Sequence, residues 1–133
     1  MKNSLLLLAL FAYVLPSLNA QNPTASQAAH DFYQWYLTKG VNLGWRQVVK
    51  RAELTPSFQK RLTVFFQKME KANEGGYDPI LQAQDFETKF LLKPVSQTPA
   101  KATFDFWMFG QKVAVVTLIN TQNKWLIDAI QGL

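Results

Sequence analysis

The sequence has no cysteine and a single histidine, His30, so disulfides, thiolate nucleophiles, zinc–thiolate clusters and histidine-rich metal sites are all excluded. It also lacks the motifs GxGxxG, GxxxxGK, HExxH and GxSxG, which leaves dinucleotide, nucleotide, zinc-protease and serine-hydrolase readings without support. Charged residues make up only 17% of the 133 positions, yet 48% are hydrophobic and glycine and proline number six each. That balance excludes disordered, collagen-like and disulfide-scaffold classes and fits one folded domain.

The one long apolar run, Leu5 to Leu15, follows Lys2 and precedes the small residues Ser17 and Ala20. At about eleven residues it is too short for a hydrocarbon core that needs roughly twenty, so the pattern is that of a cleaved signal peptide over 1–20. The expected mature domain is 21–133, periplasmic or secreted, with no transmembrane anchor. A chain without cysteine suits such a compartment.

Charge is unevenly placed. Between Gly44 and Glu74 stand Arg46, Lys50, Arg51, Lys60, Arg61, Lys68 and Lys71 against Glu53, Glu70 and Glu74, while the rest of the mature chain is balanced. Arg46, Lys50, Arg51, Lys60 and Lys71 are therefore candidates for a surface that meets an acidic protein or an anionic envelope component, and an exported protein has little occasion to meet nucleic acid. Lys and Arg on the outside of amphipathic helices are also ordinary solubilising residues.

Helical periodicity fills the first half of the mature chain. From Ser26 to Lys39, Ala25, Ala28, Ala29, Phe32, Trp35 and Tyr36 fall on one stripe, with His30 and Gln34 opposite and Gly40 as the stop. A second helix is expected over Gly44–Ala52, with Trp45, Val48, Val49 and Ala52 inward. A third starts at the N-cap Thr55 with Pro56 in the first turn and ends at Gly75–Gly76, its stripe being Phe58, Leu62, Phe65, Phe66 and Met69.

After Asp78-Pro79 the period shifts toward two. Phe86, Thr88, Phe90 and Leu92 read as one face of a strand interrupted by Pro94. A hairpin turning at Gly110-Gln111 would set Ala102, Phe104, Phe106 and Met108 on the same face as Val113, Val115, Thr117 and Ile119. The opposite face, with Trp107, Ala114, Val116 and Leu118, is apolar enough at one end to serve as a homodimer interface. The last strand is Trp125–Ile130. A loop with an even number of residues before it places Asp128 opposite Thr117 on the core face, and an odd one places Trp125, Ile127 and Ala129 there.

Helices followed by strands make this an α+β domain, with the helices packed on an antiparallel sheet of about four strands. The ordered set FYQWYL (Phe32 to Leu37), LTP (Leu54 to Pro56), DPILQAQD (Asp78 to Asp85) and WLIDAI (Trp125 to Ile130) resembles the nuclear transport factor 2-like, cystatin-like superfamily, and within it the small exported bacterial YbjP/YqhG-like proteins of unknown function. The resemblance spans the mature chain and implies a curved, cone-shaped sheet wrapped on a helix, around a cavity that members use as active site, ligand pocket or interface. Enzymes of that superfamily use an acid–base Asp, often with a His, and no position here matches that pair. Some relatives are lipoproteins; Ala20-Gln21, with no cysteine, departs from them.

Three ligand-pocket candidates emerge. Thr117 with Asp128 would form a polar floor on an apolar face, where a carboxylate must be paired, protonated or solvated. Asp85, with Asp78 in the same motif, could hold a cation or divide acid and base roles, although Asp78 before Pro79 is also a good turn former and Asp85 can accept backbone N–H bonds. No cofactor and no metal is expected. The function expected is a noncatalytic binding or interaction module of the cell envelope, taking a small ligand or a protein partner; an immunity-type inhibitor of a secreted toxin and a small hydro-lyase or isomerase with a buried Asp are the alternatives.

Overall fold

The structure, a computed structural model, describes residues 22–131; the expected signal peptide lies outside the described residues. Helix α1, Ala25–Thr38, begins with a reciprocal capping box in which the Thr24 hydroxyl accepts from Gln27 N–H and the Gln27 side chain accepts from Thr24 N–H. Its buried face is wider than the expected stripe, adding Tyr33 and Leu37 to Ala25, Ala29, Phe32 and Tyr36. Tyr33 stacks on Phe106 of the sheet, with ring centroids 4.1 Å apart, and its hydroxyl reaches the Ile80 carbonyl at 3.1 Å. The helix is thus covered both by the sheet and by the segment after Asp78.

A 3-10 turn, Gly40–Asn42, follows. Gly40 is required by close approach: a Cβ there would lie 2.5 Å from Tyr36 Cδ2. Helix α2 is much shorter than expected, Trp45–Val48, and Ala52 is exposed. The chain leaves the helix because residues 53–55 are needed elsewhere. Glu53 C=O accepts from Ile127 N–H at 2.8 Å and Thr55 N–H donates back to Ile127 C=O at 2.9 Å, so this segment covers the outer edge of the last strand.

Helix α3, Pro56–Ala72, is capped by the Thr55 hydroxyl, which accepts from Phe58 N–H. It ends at Asn73, in the left-handed conformation with φ 53°, and not at Gly75. Asparagine tolerates that region, and the Glu74 N–H closes onto the Met69 carbonyl. Only Phe58 and Leu62 of its stripe are fully buried; Phe65, Phe66 and Met69 stay half-exposed.

Four strands, β1 Leu91–Gln97, β2 Lys101–Met108, β3 Gln111–Thr121 and β4 Lys124–Ile130, form an antiparallel, curved sheet in sequence order. No helix among the described residues is long and apolar enough to cross a membrane. Residues 86–90 are not strand, and Pro94 lies inside β1 instead of ending a strand. Proline is tolerated there because β1 is an edge strand, and the pairing shifts at Val95 just beyond it.

Two further bulges decide which side chains face the core. The β2–β3 turn is Phe109-Gly110, both at positive φ, with Met108 opposite Gln111. This moves the pairing by two residues from that expected, which alone leaves the facing unchanged. Trp107 pairs with Lys112 but Phe106 pairs with Ala114, so Val113 is an extra residue on β3 and inverts everything beyond it. Ala114, Val116 and Leu118 are consequently buried against Phe104 and Phe106, while Val115, Thr117 and Ile119 share the outer face with Asp105. On β4, Leu118 pairs with Ile127 and Thr117 with Ala129, leaving Asp128 as the extra residue. The β3–β4 turn is two residues long, Gln122-Asn123, yet Thr117 and Asp128 do not meet on the core face.

Candidate functional site

The segment from Gly76 to Phe86 has no helix or strand, yet Pro79, Ile80 and Leu81 are buried. Asp78 makes this possible. One carboxylate oxygen accepts from Ile80 N–H at 2.8 Å and Leu81 N–H at 3.1 Å, an Asx turn, and the Asp78 backbone pairs with Ala83 in both directions. The other oxygen accepts from the Tyr36 hydroxyl at 2.7 Å, tying the turn to the last part of α1. The turn role expected of Asp78 is therefore present, together with a long-range one that adjacent residues do not announce.

Beside this carboxylate opens a pocket of about 280 Å³. Tyr36 of α1, Trp45 of α2, Phe66 of α3 and Tyr77 and Phe86 of the irregular segment contribute to its walls, with Val41, Leu43 and Val48 between them. Trp45 and Phe66 stack with centroids 5.4 Å apart, and Trp45 Nε1–H donates to Glu70. Three of the seven large hydrophobic residues left exposed among the described residues, Leu43 (41%), Tyr77 (39%) and Phe86 (46%), line this pocket. Clustering of that kind marks a binding surface more than scattered exposure does.

The electrostatics of the pocket centre on Asp78. Burial pushes its carboxyl above the usual carboxylate range, more than the bonds from Tyr36, Leu81 and Ile80 lower it. The Tyr36 and Tyr33 hydroxyls are raised as well, chiefly by burial and then by the Asp78 charge, so both remain proton donors. Glu70 at the side of Trp45 is held low by its bonds from Arg46 and Trp45.

No family model matches the chain, and no curated protein or solved structure matches it either. The site is therefore judged on its own geometry. One carboxylate, two phenols, an amide and an apolar aromatic wall can bind and orient a small molecule. Among the lining residues there is no serine, threonine or cysteine, no histidine and no second carboxylate.

The residues singled out in the sequence lie elsewhere. Asp128, re-aimed by its bulge, accepts from the Thr55 hydroxyl at 2.8 Å, and its carbonyl accepts from Arg61. Thr117 is half-buried on the outer sheet face, opposite Ala129. Asp85 is exposed next to Phe109 and Gln111. Of the basic candidates, Arg46 makes a bidentate pair with Glu70 at 3.0 Å and Arg51 one with Glu53 at 2.5 and 3.1 Å, so two of the three local carboxylates already neutralise them; Lys50, Lys60 and Lys71 are exposed. His30 is exposed and lies 5.0 Å from the Phe90 ring.

A second, larger groove of about 490 Å³ runs between α1 and the edge of β4. Its apolar lining includes Phe32, Trp35 and Trp125, and its charged lining is mixed, Asp31 and Glu53 against Arg51 and Lys124, with Arg51 lying over Trp35 at 4.0 Å and bound to Glu53. The face considered for a homodimer does not persist as expected, because Ala114, Val116 and Leu118 turn into the core; on the outer sheet face the Lys93 ammonium covers Trp107 at 3.6 Å and Lys112 pairs with Asp105 at 3.4 Å. Among the described residues no group of three acidic or histidine side chains is placed to hold a metal.

The sequence reading missed the aromatic pocket because its walls come from four separate segments, each of which reads locally as core stripe or turn. The available signal was the surplus of aromatics over what one stripe per helix can bury.

Proposed function

We propose that this chain is an exported, noncatalytic binding module of the bacterial cell envelope and that its small ligand occupies the pocket beside Asp78. The observation that carries the reading is the ring of exposed Leu43, Tyr77 and Phe86 around a desolvated carboxylate, an arrangement a fold does not keep for stability alone. The leader-like pattern of residues 1–20 supports export.

One observation favours a second reading, a hydro-lyase or isomerase-type cavity enzyme, because a carboxyl with a raised pKa in a pocket is the usual mark of an acid–base residue. Against it, both Asp78 oxygens are engaged by hydrogen-bond donors, and the donors hold the turn together. Those three bonds leave one carboxylate lone pair free, and no histidine or second carboxylate lines the pocket to divide acid and base roles with it.

Equilibrium dialysis of the purified native protein against a small-molecule extract of the cell envelope, read by mass spectrometry, tests the proposal. Wild type is expected to retain a compound that the double variant Tyr77→Ala, Phe86→Ala loses at unchanged melting temperature. Equal retention by both would place the ligand elsewhere, and chemical conversion of the retained compound would favour the enzyme reading.

A further inference from the structure

We propose that the pocket beside Asp78 takes a small organic cation of the methylated or quaternary ammonium class; the proposal rests on the reading of that pocket as the ligand site. Five of its walls are aromatic, Tyr36, Trp45, Phe66, Tyr77 and Phe86, and Asp78 is the only charged residue among those that line it. Aromatic faces carry negative quadrupole potential and attract a cation most strongly where water is excluded. The Asp78 carboxylate, when ionised, adds a negative charge in the same space, and a bound cation favours that ionised form.

That charge lacks a counter-ion among the described residues. Among the described residues no Lys, Arg or His makes an ion pair with Asp78, whose partners are a phenol and two backbone N–H groups. Hydrogen bonds alone leave it in the state a desolvated carboxylate adopts without a cation nearby, with its carboxyl raised by burial. Arg46, beside the lining residue Trp45, stacks on its ring at 4.3 Å and is neutralised by its bidentate pair with Glu70, so it does not oppose a second cation.

Other ligand classes fit less well. A bare divalent cation needs several oxygen ligands, and Asp78 is the single carboxylate among the lining residues. An anion meets the wrong sign. A cation whose charge is spread over methyl groups sheds water readily, fits a volume of about 280 Å³, and meets both the aromatic walls and the carboxylate.

The test compares choline and tetramethylammonium with 3,3-dimethylbutan-1-ol, the neutral isostere of choline, by isothermal titration of the purified native protein. Choline is expected to bind at least about tenfold more tightly than the isostere. Asp78→Asn, which keeps an oxygen for the Asx turn and removes the charge, is expected to weaken choline about tenfold and leave the isostere unchanged. Tyr77→Leu with Phe86→Leu, at two exposed positions, is expected to weaken choline to a similar degree without lowering the melting temperature. Equal binding of choline and isostere overturns the cation proposal and leaves the pocket standing as an apolar ligand site. Absence of choline binding, or choline binding unchanged in both variants, also overturns it; loss of the dialysis signal described above would remove the ligand site as well.

Discussion

At the scale of single residues, Asp78 does more for the fold than its position in a loop implies. It satisfies two buried-side N–H groups and the Tyr36 phenol at once, so Asp78→Ala leaves all three without their partner. A loss of about 2–4 kcal/mol is expected by urea unfolding, against under about 1 kcal/mol for Asp78→Asn. The pH dependence has a definite sign. Because burial raises the folded-state carboxyl above its unfolded value, the folded chain holds the proton longer; the contribution of Asp78 to stability is greatest below the unfolded value and falls as pH rises through the window between the two. The stability of wild type relative to Asp78→Asn should therefore decline as pH rises above the ordinary carboxylate value, as measured by thermal unfolding at several pH values. Glu70 has the opposite sign, lowered by Arg46, and is common to both proteins, so the comparison isolates Asp78.

At the scale of elements, the junction of α3 with β4 is held by Thr55. Its hydroxyl accepts from Phe58 N–H as an N-cap, donates to Asp128, and its backbone completes the cover over the β4 edge. Thr55→Ala removes both side-chain bonds at a buried position, and a destabilisation of about 2 kcal/mol is expected, while Thr55→Ser should cost well under half of that. Gly40 plays the corresponding part at the end of α1. Adding a methyl group forces the Tyr36 ring to move, so Gly40→Ala should both destabilise the chain and expose the Tyr36 hydroxyl, seen as loss of its slowly exchanging proton signal. These same elements show what a sequence can and cannot disclose. The α1 stripe, the Thr55-Pro56 start of α3 and the existence of the β2–β3 hairpin were legible, because capping and periodicity are local. The bulges at Val95, Val113 and Asp128 were not, since nothing in a β-branched run marks the residue that drops out of the ladder. One such residue, Val113, exchanged the faces of β3 and with them the supposed site at Thr117.

At the scale of the whole molecule, the sheet and α1 enclose a packed core in which Tyr33 and Phe106 stack, and the space for a ligand opens beside that core. Asp78 was legible as a turn residue; its place at the floor of a pocket was not, because Tyr36, Trp45, Phe66 and Phe86 come together only through the tertiary fold. The most direct measurement of the central claim is residue-resolved amide chemical-shift mapping of the native protein as fractions of an envelope small-molecule extract are added. Shifts are expected to concentrate on Leu43, Trp45, Tyr77, Gln84 and Phe86 and to be abolished in the Tyr77→Ala, Phe86→Ala variant. Shifts confined to Arg51–Glu53 and Lys124–Ile127, to the outer sheet face around Trp107, or to no residue with any fraction would contradict it.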